Sequence, residues 1–477
     1  MSVIDTALTR LADGILMPPF YGPAAPPWVL DALADGLAGV VLFGSNVADG
    51  PQPLRELTGS MLSAAPDALI AIDEEGGDVT RLWYASGSPY PGNAALGAAD
   101  DTEMTREVYR SIGADLAGLS INLNLAPCLD VLAEPENPVI GTRAFGMTAE
   151  LVARHGVAAV LGLQSAGVAA CVKHFPGHGS TLADSHATLA VVTDGWAERD
   201  LPPFTAAIEA GTAAVMPGHL RVPGLTGTAP ASLSPEAIAL IRSLGFDGVV
   251  VSDALEMRAV SDVYGVAGAA VLAVVAGTDL LCLGRDVSAD GYLATREALV
   301  AAVRDGTIPA GRLEEATARV AALRLSLSSR VLPAAPPMHE LGLVAARRAL
   351  RLTGARPALT QPVVVEIEPL VNIAAGSFHW GLADWIPADS LRRVSPDADA
   401  SAVLKPASDR DLVLLYRDAH RSAGTRALVT AVLAERPDAV PVEMGLPFWR
   451  PQAATFIATY GASRASSEAT AEILGLA

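Results

Sequence analysis

The sequence predicts a (β/α)8 TIM-like barrel followed by a smaller α/β domain. Three observations carry that expectation. Eight short apolar runs recur over the first 285 residues, each ending at a Gly, Asn, Asp, Lys or Pro. Helical patterns lie between them. A proline cluster at Pro333, Pro336 and Pro337 then interrupts the series, and strand–helix alternation resumes beyond it.

The runs are 14–17, 39–43, 68–72, 121–125, 168–172, 213–216, 248–251 and 279–282. Most are too short for helices and lack two-residue alternation, so they read as strands buried on both faces. Met104, Val108, Ile112 and Leu116 form one stripe of an amphipathic helix. Ser234-Pro235-Glu236 places an N-cap hydroxyl, a first-turn proline and an acid before Ile238 and Ile241. Further helices are expected near 27–37, 148–166, 198–211, 262–276, 291–304 and 310–327. An open doubly wound sheet is the competing reading, but no GxGxxG follows any strand. The expected organisation is a barrel over 1–332, a linker at 333–340 and a small α/β sandwich over 341–477. In the last, strands at 363–367, 412–416 and 440–444 alternate with helices at 343–352, 422–435 and 465–475. Pro441 is expected to confine its strand to a sheet edge.

Composition narrows the class. With 51% hydrophobic and 18% charged residues, a largely disordered chain is excluded. The net charge of −19 repels a nucleic-acid backbone. Cys128, Cys171 and Cys282 form neither a disulfide framework nor a zinc-like spacing. An acid at Asp5 and no long apolar run near the N-terminus argue against a secretory signal. The apolar stretch 266–277 falls short of the roughly 20 residues of a membrane span. A cytoplasmic protein without a membrane partner is the expectation.

Barrel chemistry sits at the C-terminal ends of the strands. The third run ends in Asp73-Glu74-Glu75, and the fourth leads to Asn122, Asn124, Asp130 and Arg143. The fifth ends in Lys173-His174 and continues through His178, Asp184 and His186; the sixth leads to His219 and the seventh to Ser252-Asp253. Each has a plainer reading. Asp253 could cap a helix, Lys173 could belong to a structural ion pair, and His178 could hold its own loop. His155 reads as structural, while Glu74, Glu75 and Asp130 could orient neighbouring cations. His174 and His178 are four apart, as in a helical metal motif, but Pro176 and Gly177 break the helix, so no metal or cofactor is expected. Successive strands ending this way favour one polar pocket.

The segment from Lys173 to His186, KHFPGHGSTLADSH, resembles the signature loop of glycoside hydrolase family 3 β-N-acetylglucosaminidases. IDEEGGDVTR (72–81), NLNLAP (122–127) with Asp130, IGTR (140–143) and FDGVVVSD (246–253) complete the resemblance in family order over roughly 10–330. The tail resembles the second domain of longer members. The resemblance implies Asp253 as nucleophile and His186, paired with Asp184, as general acid/base. It implies Asp73, Arg81, Arg143, Lys173 and His174 as binders of the sugar hydroxyls and the 2-acetamido group. Glu74 stands where the family has Gln, and Asp78 where it has Arg, so the ion pairing around Asp78 must differ.

The implied activity is a retaining exo-β-N-acetylglucosaminidase working through a glycosyl-Asp intermediate on muropeptide-type or related oligosaccharides, in peptidoglycan recycling. A carboxylate nucleophile with a histidine that alternates between acid and base suits it. Neutral imidazole also repels an incoming phosphate less than a carboxylate does, so phosphate as acceptor, in a phosphorylase, is an alternative. A catalytically silent sugar-binding barrel is another. The clusters 409–411 and 417–421 read as solvated surface.

Overall fold

The computed structural model describes residues 3–47, 50–329, 336–370, 372–376 and 379–477. Residues 333–335 of the expected linker lie outside the described residues. The chain packs as two compact units. The first comprises Met1–Glu74, Thr105–Asn137 and Met147–Pro337; the second comprises Glu75–Met104, Pro138–Gly146 and Met338–Ala477. A single cut at 333–340 would place 75–104 and 138–146 with the barrel, yet these two long loops pack with the C-terminal segment.

The first unit is an eight-stranded parallel barrel among the described residues. Its strands are Leu16–Met17, Gly39–Leu42, Leu69–Ile72, Leu123–Asn124, Ala169–Phe175, Ala214–Pro217, Val249–Val250 and Leu281–Cys282. The second to seventh pair in chain order. The ring closes where the first pairs with the eighth through Leu16↔Leu281, and where Val251 bridges Leu280. On the other side of the first strand, the Val41 amide donates to the Pro18 carbonyl at 3.3 Å. An open sheet is thereby excluded. Most of these strands are buried throughout, which is why they read as unbroken apolar runs. The fifth extends further than expected, through Phe175, because Lys173 bridges Cys128 and Phe175 pairs with Pro217 past a register shift.

Helices fill the intervals. Ser234 caps Pro235–Ser243 by accepting from the Ala237 amide, as its sequence predicts. Arg258–Ala276 is long and apolar enough to cross a membrane by composition. Gly265 (φ 64°, ψ 163°) interrupts it, and it packs against Ala289–Arg304 within the barrel unit.

The second unit is built on a six-stranded sheet among the described residues. In spatial order its strands are Arg351–Thr353, Phe456–Ala458, Val440–Glu443, Leu412–Tyr416, Val363–Ile367 and Leu391–Val394, with the first antiparallel. Alternate residues serve opposite faces: Val364, Val413 and Leu415 enter one core, Val363, Val365, Leu412 and Leu414 the other. Pro441 is not in an edge strand, contrary to expectation. Pairing with Phe456–Ala458 begins only at Val442, so at Pro441 the strand has a neighbour on one side and its missing N–H leaves no gap in that ladder.

Candidate active site

Polar side chains collect where the barrel strands end. Asp73 follows the third strand, and its Oδ1 lies 2.6 Å from Lys173 Nζ on the fifth. The lysine side chain is 4% exposed and the aspartate 19%, so the cation is enclosed while the carboxylate keeps an open side. The ion-pair reading of Lys173 is therefore correct as geometry, and it leaves Asp73 a fixed acceptor.

Asp130 is fully buried and organises the next layer. Its Oδ2 accepts from His174 Nδ1 (2.7 Å) and Cys128 Sγ (3.0 Å), and its Oδ1 from the His178 amide (2.6 Å). Burial pushes this carboxyl up, but the His174 and His178 imidazoles and the Cys128 thiol outweigh it, holding Asp130 well below the usual carboxylate range. An ionised Asp130 makes Nδ1 of His174 the protonated nitrogen. His178 is accounted for by its own loop: Nδ1 meets Thr181 Oγ1 at 2.7 Å and Nε2 meets Ser185 Oγ at 3.0 Å. His155 likewise meets Thr105 Oγ1 inside the helical layer, at 2.8 Å.

The segment 176–189 carries the Asp184–His186 pair. Asp184 Oδ1 accepts from His186 Nδ1 at 2.7 Å and from its amide at 2.9 Å, so one oxygen fixes both ring and backbone. Asp184 is raised by burial, but its hydrogen bond to His186 and the charge there bring it below the usual range. With Nδ1 committed, Nε2 is the ring nitrogen left open, and the side chain is 30% exposed. The His186 carbonyl accepts from the Arg258 amide at 3.4 Å, tying this loop to the one that follows the seventh strand.

That loop holds Asp253, which does not cap a helix: the next helix begins at Arg258, with Met257 at its N-cap. Asp253 Oδ1 accepts from the Ala254 amide at 2.8 Å. Burial raises its carboxyl, but His219, His174, the Ala254 N–H and His186 together bring it below the usual range. His219 is itself fully buried and its pKa is lowered by burial. Its Nε2 meets the Ala254 carbonyl at 2.9 Å and its Nδ1 the Ser232 hydroxyl at 2.6 Å, the pattern of a neutral Nε2–H ring accepting from serine. The Ala254 amide supports an ionised Asp253 whatever the state of that ring. His219 acts as a clamp on the loop that carries Asp253.

Glu256, which no sequence motif singles out, ties that loop to the one after the eighth strand. Its Oε1 accepts from the Arg285 amide at 2.6 Å, and a Cβ on Gly284 (φ 92°) would lie 1.6 Å from Oε2. Oε2 is buried without a hydrogen-bond partner. Burial pushes the carboxyl up to about 7. No strand or helix signal marks 254–257, which is why Glu256 escaped notice.

Arg81 and Arg143 belong to the second unit. Glu75 holds Arg143 through two hydrogen bonds, Nε–Oε2 at 2.9 Å and Nη2–Oε1 at 2.8 Å. The expectation that Glu75 orients a cation is met in geometry. Arg81 donates from Nη2 to the Ala374 carbonyl at 3.2 Å. Asp78 is paired with Arg417, whose guanidinium lies 5.8 Å from the Trp380 ring centre. Arg417 is thus not solvated surface: its side chain is 10% exposed. It was misread because charge patterning does not reveal a buried partner more than 300 positions away.

Among the described residues, Cys128, Asp130 and His174 bring three possible metal-ligand atoms within 4.8 Å of one another. These atoms already hydrogen-bond to each other through Asp130 Oδ2. The alternative pairing of His174 with His178 has neither ring nitrogen of His178 to offer without breaking its bonds to Thr181 and Ser185.

A closed parallel barrel whose strand ends gather an ionised carboxylate, a histidine–aspartate pair and a lysine–aspartate pair defines a barrel enzyme for a polar substrate. The N terminal domain of glycosyl hydrolase family 3 matches residues 30–323, and the chain belongs to that family. It is a glycoside hydrolase. It is 36% identical over 264 residues to the beta-hexosaminidase LpqI of Mycobacterium tuberculosis, covering 54% of this chain and 67% of that one. A beta-hexosaminidase of Xylella fastidiosa is 37% identical over 265 residues, with 53% and 77% covered. Among solved structures, a glycoside hydrolase family 3 beta-N-acetylglucosaminidase from Paenibacillus aligns over 98% of this chain and 96% of its own, with 33% identity and a TM-score of 0.87.

Proposed function

We propose that this glycoside hydrolase is a retaining exo-β-N-acetylglucosaminidase, with Asp253 as nucleophile and His186, oriented by Asp184, as general acid/base. The observation that carries the reading is the pairing of an Asp253 held ionised with a His186 whose Nδ1 is committed to Asp184. The hexosaminidase names of its relatives support the substrate class. Asp253 would attack the anomeric carbon and form a glycosyl ester while His186 Nε2 gives its proton to the departing oxygen. The same nitrogen would then take a proton from water as the ester is cleaved. Asp73, Lys173 and His174, and in the second unit Arg81 and Arg143, are proposed to bind the sugar hydroxyls and acetamido group, on the family positions they occupy. Hydrolysis is preferred to phosphorolysis because the relatives at 36–37% identity bear hydrolase names. Muropeptide-type fragments as the substrate, and a role in peptidoglycan recycling, rest on the sequence resemblance.

The test is turnover of an aryl β-N-acetylglucosaminide followed by NMR of the first-formed sugar anomer, in phosphate and in a non-phosphate buffer. Retention with free N-acetylglucosamine in both buffers is expected. The Asp253→Ala variant should lose activity and recover part of it with azide, giving a glycosyl azide of inverted configuration. Inversion by the wild type, or an active Asp253→Ala variant without azide, would overturn the assignment.

A further inference from the structure

An aspartate at position 78 where the family resemblance leads one to expect arginine is met by a built-in counterpart. Asp78 is 5% exposed and fully engaged: Oδ2 takes the Arg417 guanidinium and the Thr142 hydroxyl (2.8 Å), and Oδ1 takes the Ala462 amide (3.0 Å). Four chain segments therefore meet on one carboxylate. Two of them, 75–81 and 138–146, carry Arg81 and Arg143. The other two follow directly on strands of the second sheet, Leu412–Tyr416 and Phe456–Ala458.

The surrounding contacts make these loops dependent on that junction. Val79, one residue on from Asp78, is 2% exposed and packs in the same core as Val413, Val442 and Ile457. The Gly77 amide donates to the Tyr90 carbonyl at 3.0 Å, and its Cα lies so near Gly92 that a Cβ on Gly77 would sit 2.4 Å away. The Arg81 guanidinium ends on the Ala374 carbonyl, and the carboxylate of Glu75 grips Arg143. A buried carboxylate stripped of its cation would be left uncompensated, so the junction holds only with both charges present.

We infer that Asp78 is a positioning residue through which the C-terminal segment, by way of Arg417, holds the two arginine-bearing loops in their binding geometry. The inference rests on the reading of Arg81 and Arg143 as sugar-binding residues. It gives the C-terminal segment a role in substrate affinity without placing any of its residues on the substrate. Because the junction acts on binding groups rather than on Asp253 or His186, its loss should appear in KM and not in kcat.

The experiment compares Asp78→Asn, Arg417→Met, Arg417→Lys and the exchanged pair Asp78→Arg/Arg417→Asp in the full chain, with thermal melts to establish folding. Steady-state kinetics on an aryl β-N-acetylglucosaminide give KM and kcat, and calorimetry gives Kd for N-acetylglucosamine. For Asp78→Asn and Arg417→Met, KM and Kd should rise roughly tenfold with kcat changed by less than about threefold. Arg417→Lys should recover most of the affinity, and the exchanged pair should bind more tightly than either neutralising variant. Wild-type KM and Kd in folded Asp78→Asn and Arg417→Met would overturn the inference, as would a fall confined to kcat. If neutralisation prevents folding, the milder Thr142→Val, which removes the hydroxyl that ties the Arg143-bearing loop to Asp78 and keeps both charges, decides: a raised KM is expected, and unchanged KM together with a lowered Tm assigns the junction to stability alone. A wild-type protein that binds N-acetylglucosamine but cleaves no N-acetylglucosaminide defeats the proposed function and leaves the Kd comparison standing.

Discussion

Replacing Glu256 by glutamine should change how stability depends on pH, in a direction set by the Gly284 notch. In the folded protein this carboxyl is pushed from its ordinary 4.5 up to about 7, chiefly by burial, with the Arg285 amide opposing and the Asp253 and Asp286 charges adding. Oε2 has no donor to steady a negative charge. A raised carboxyl pKa means the folded state holds the proton more tightly than the unfolded chain does. The stabilisation is thus complete below pH 4.5 and is lost as pH rises through about 7. At about 1.36 kcal/mol per pKa unit, the whole shift corresponds to roughly 3 kcal/mol, of which about 2.5 kcal/mol is lost between about pH 5 and pH 8. Glutamine does not titrate. Its buried amide carries a constant cost, which cancels when the variant and wild type are compared at two pH values. The stability of Glu256→Gln relative to wild type should therefore improve by about 2–3 kcal/mol from about pH 5 to pH 8. In thermal melts this is a relative gain on the order of 2–5 °C for a unit of this size. Urea titrations at both pH values give the free energies directly. A relative stability that stays level within about 0.5 kcal/mol across this range would refute the reasoning, because Glu256 would then titrate as it does in the unfolded chain.

Three further outcomes follow from the same geometry. Asp130→Asn should cost about 3–5 kcal/mol at neutral pH, since it removes the buried anion that the His174 and Cys128 side chains and the His174 and His178 amides surround. Asp130 is held below the usual range, so its stabilisation is present at neutral pH and lost in acid; the gap to wild type should narrow in melts taken near about pH 3. His186→Ala and Asp184→Asn should lose roughly 10²–10⁴-fold on alkyl glycosides and far less on activated aryl glycosides, measured as kcat/KM; equal losses on both would remove the acid assignment. Ser232→Ala should cost about 1–3 kcal/mol by leaving His219 Nδ1 without its donor, and should leave the pH profile of kcat unchanged because that ring stays neutral; a shifted profile would show that His219 titrates during turnover.

Much of the site was legible because barrel chemistry obeys a positional rule. Asp73, Lys173, His174, Asp184, His186 and Asp253 follow or end apolar runs, and the packed strands carry them to the same rim. Local chemistry was legible too: proline and glycine around His178 argued for a loop-holding ring, and its bonds to Thr181 and Ser185 are of that kind. What escaped were residues whose meaning depends on a distant partner. Glu256 needs the Gly284 notch, and Arg417 needs Asp78. Pro441 misled because the edge rule concerns backbone neighbours, which only the sheet register supplies.

By itself the sequence determined the barrel strands, the order of the helices and the family, since these depend on periodicity, capping and short motifs that act over a few residues. The tertiary structure decided the rest. It assigned 75–104 and 138–146 to the packing unit of the C-terminal segment, and it gave Asp78 its cation. It also chose which carboxyls stay ionised and which hold a proton near neutral pH. The physical reason is range: hydrophobic patterning is local, whereas burial and the pairing of charges depend on groups hundreds of positions apart that meet only when the chain is folded.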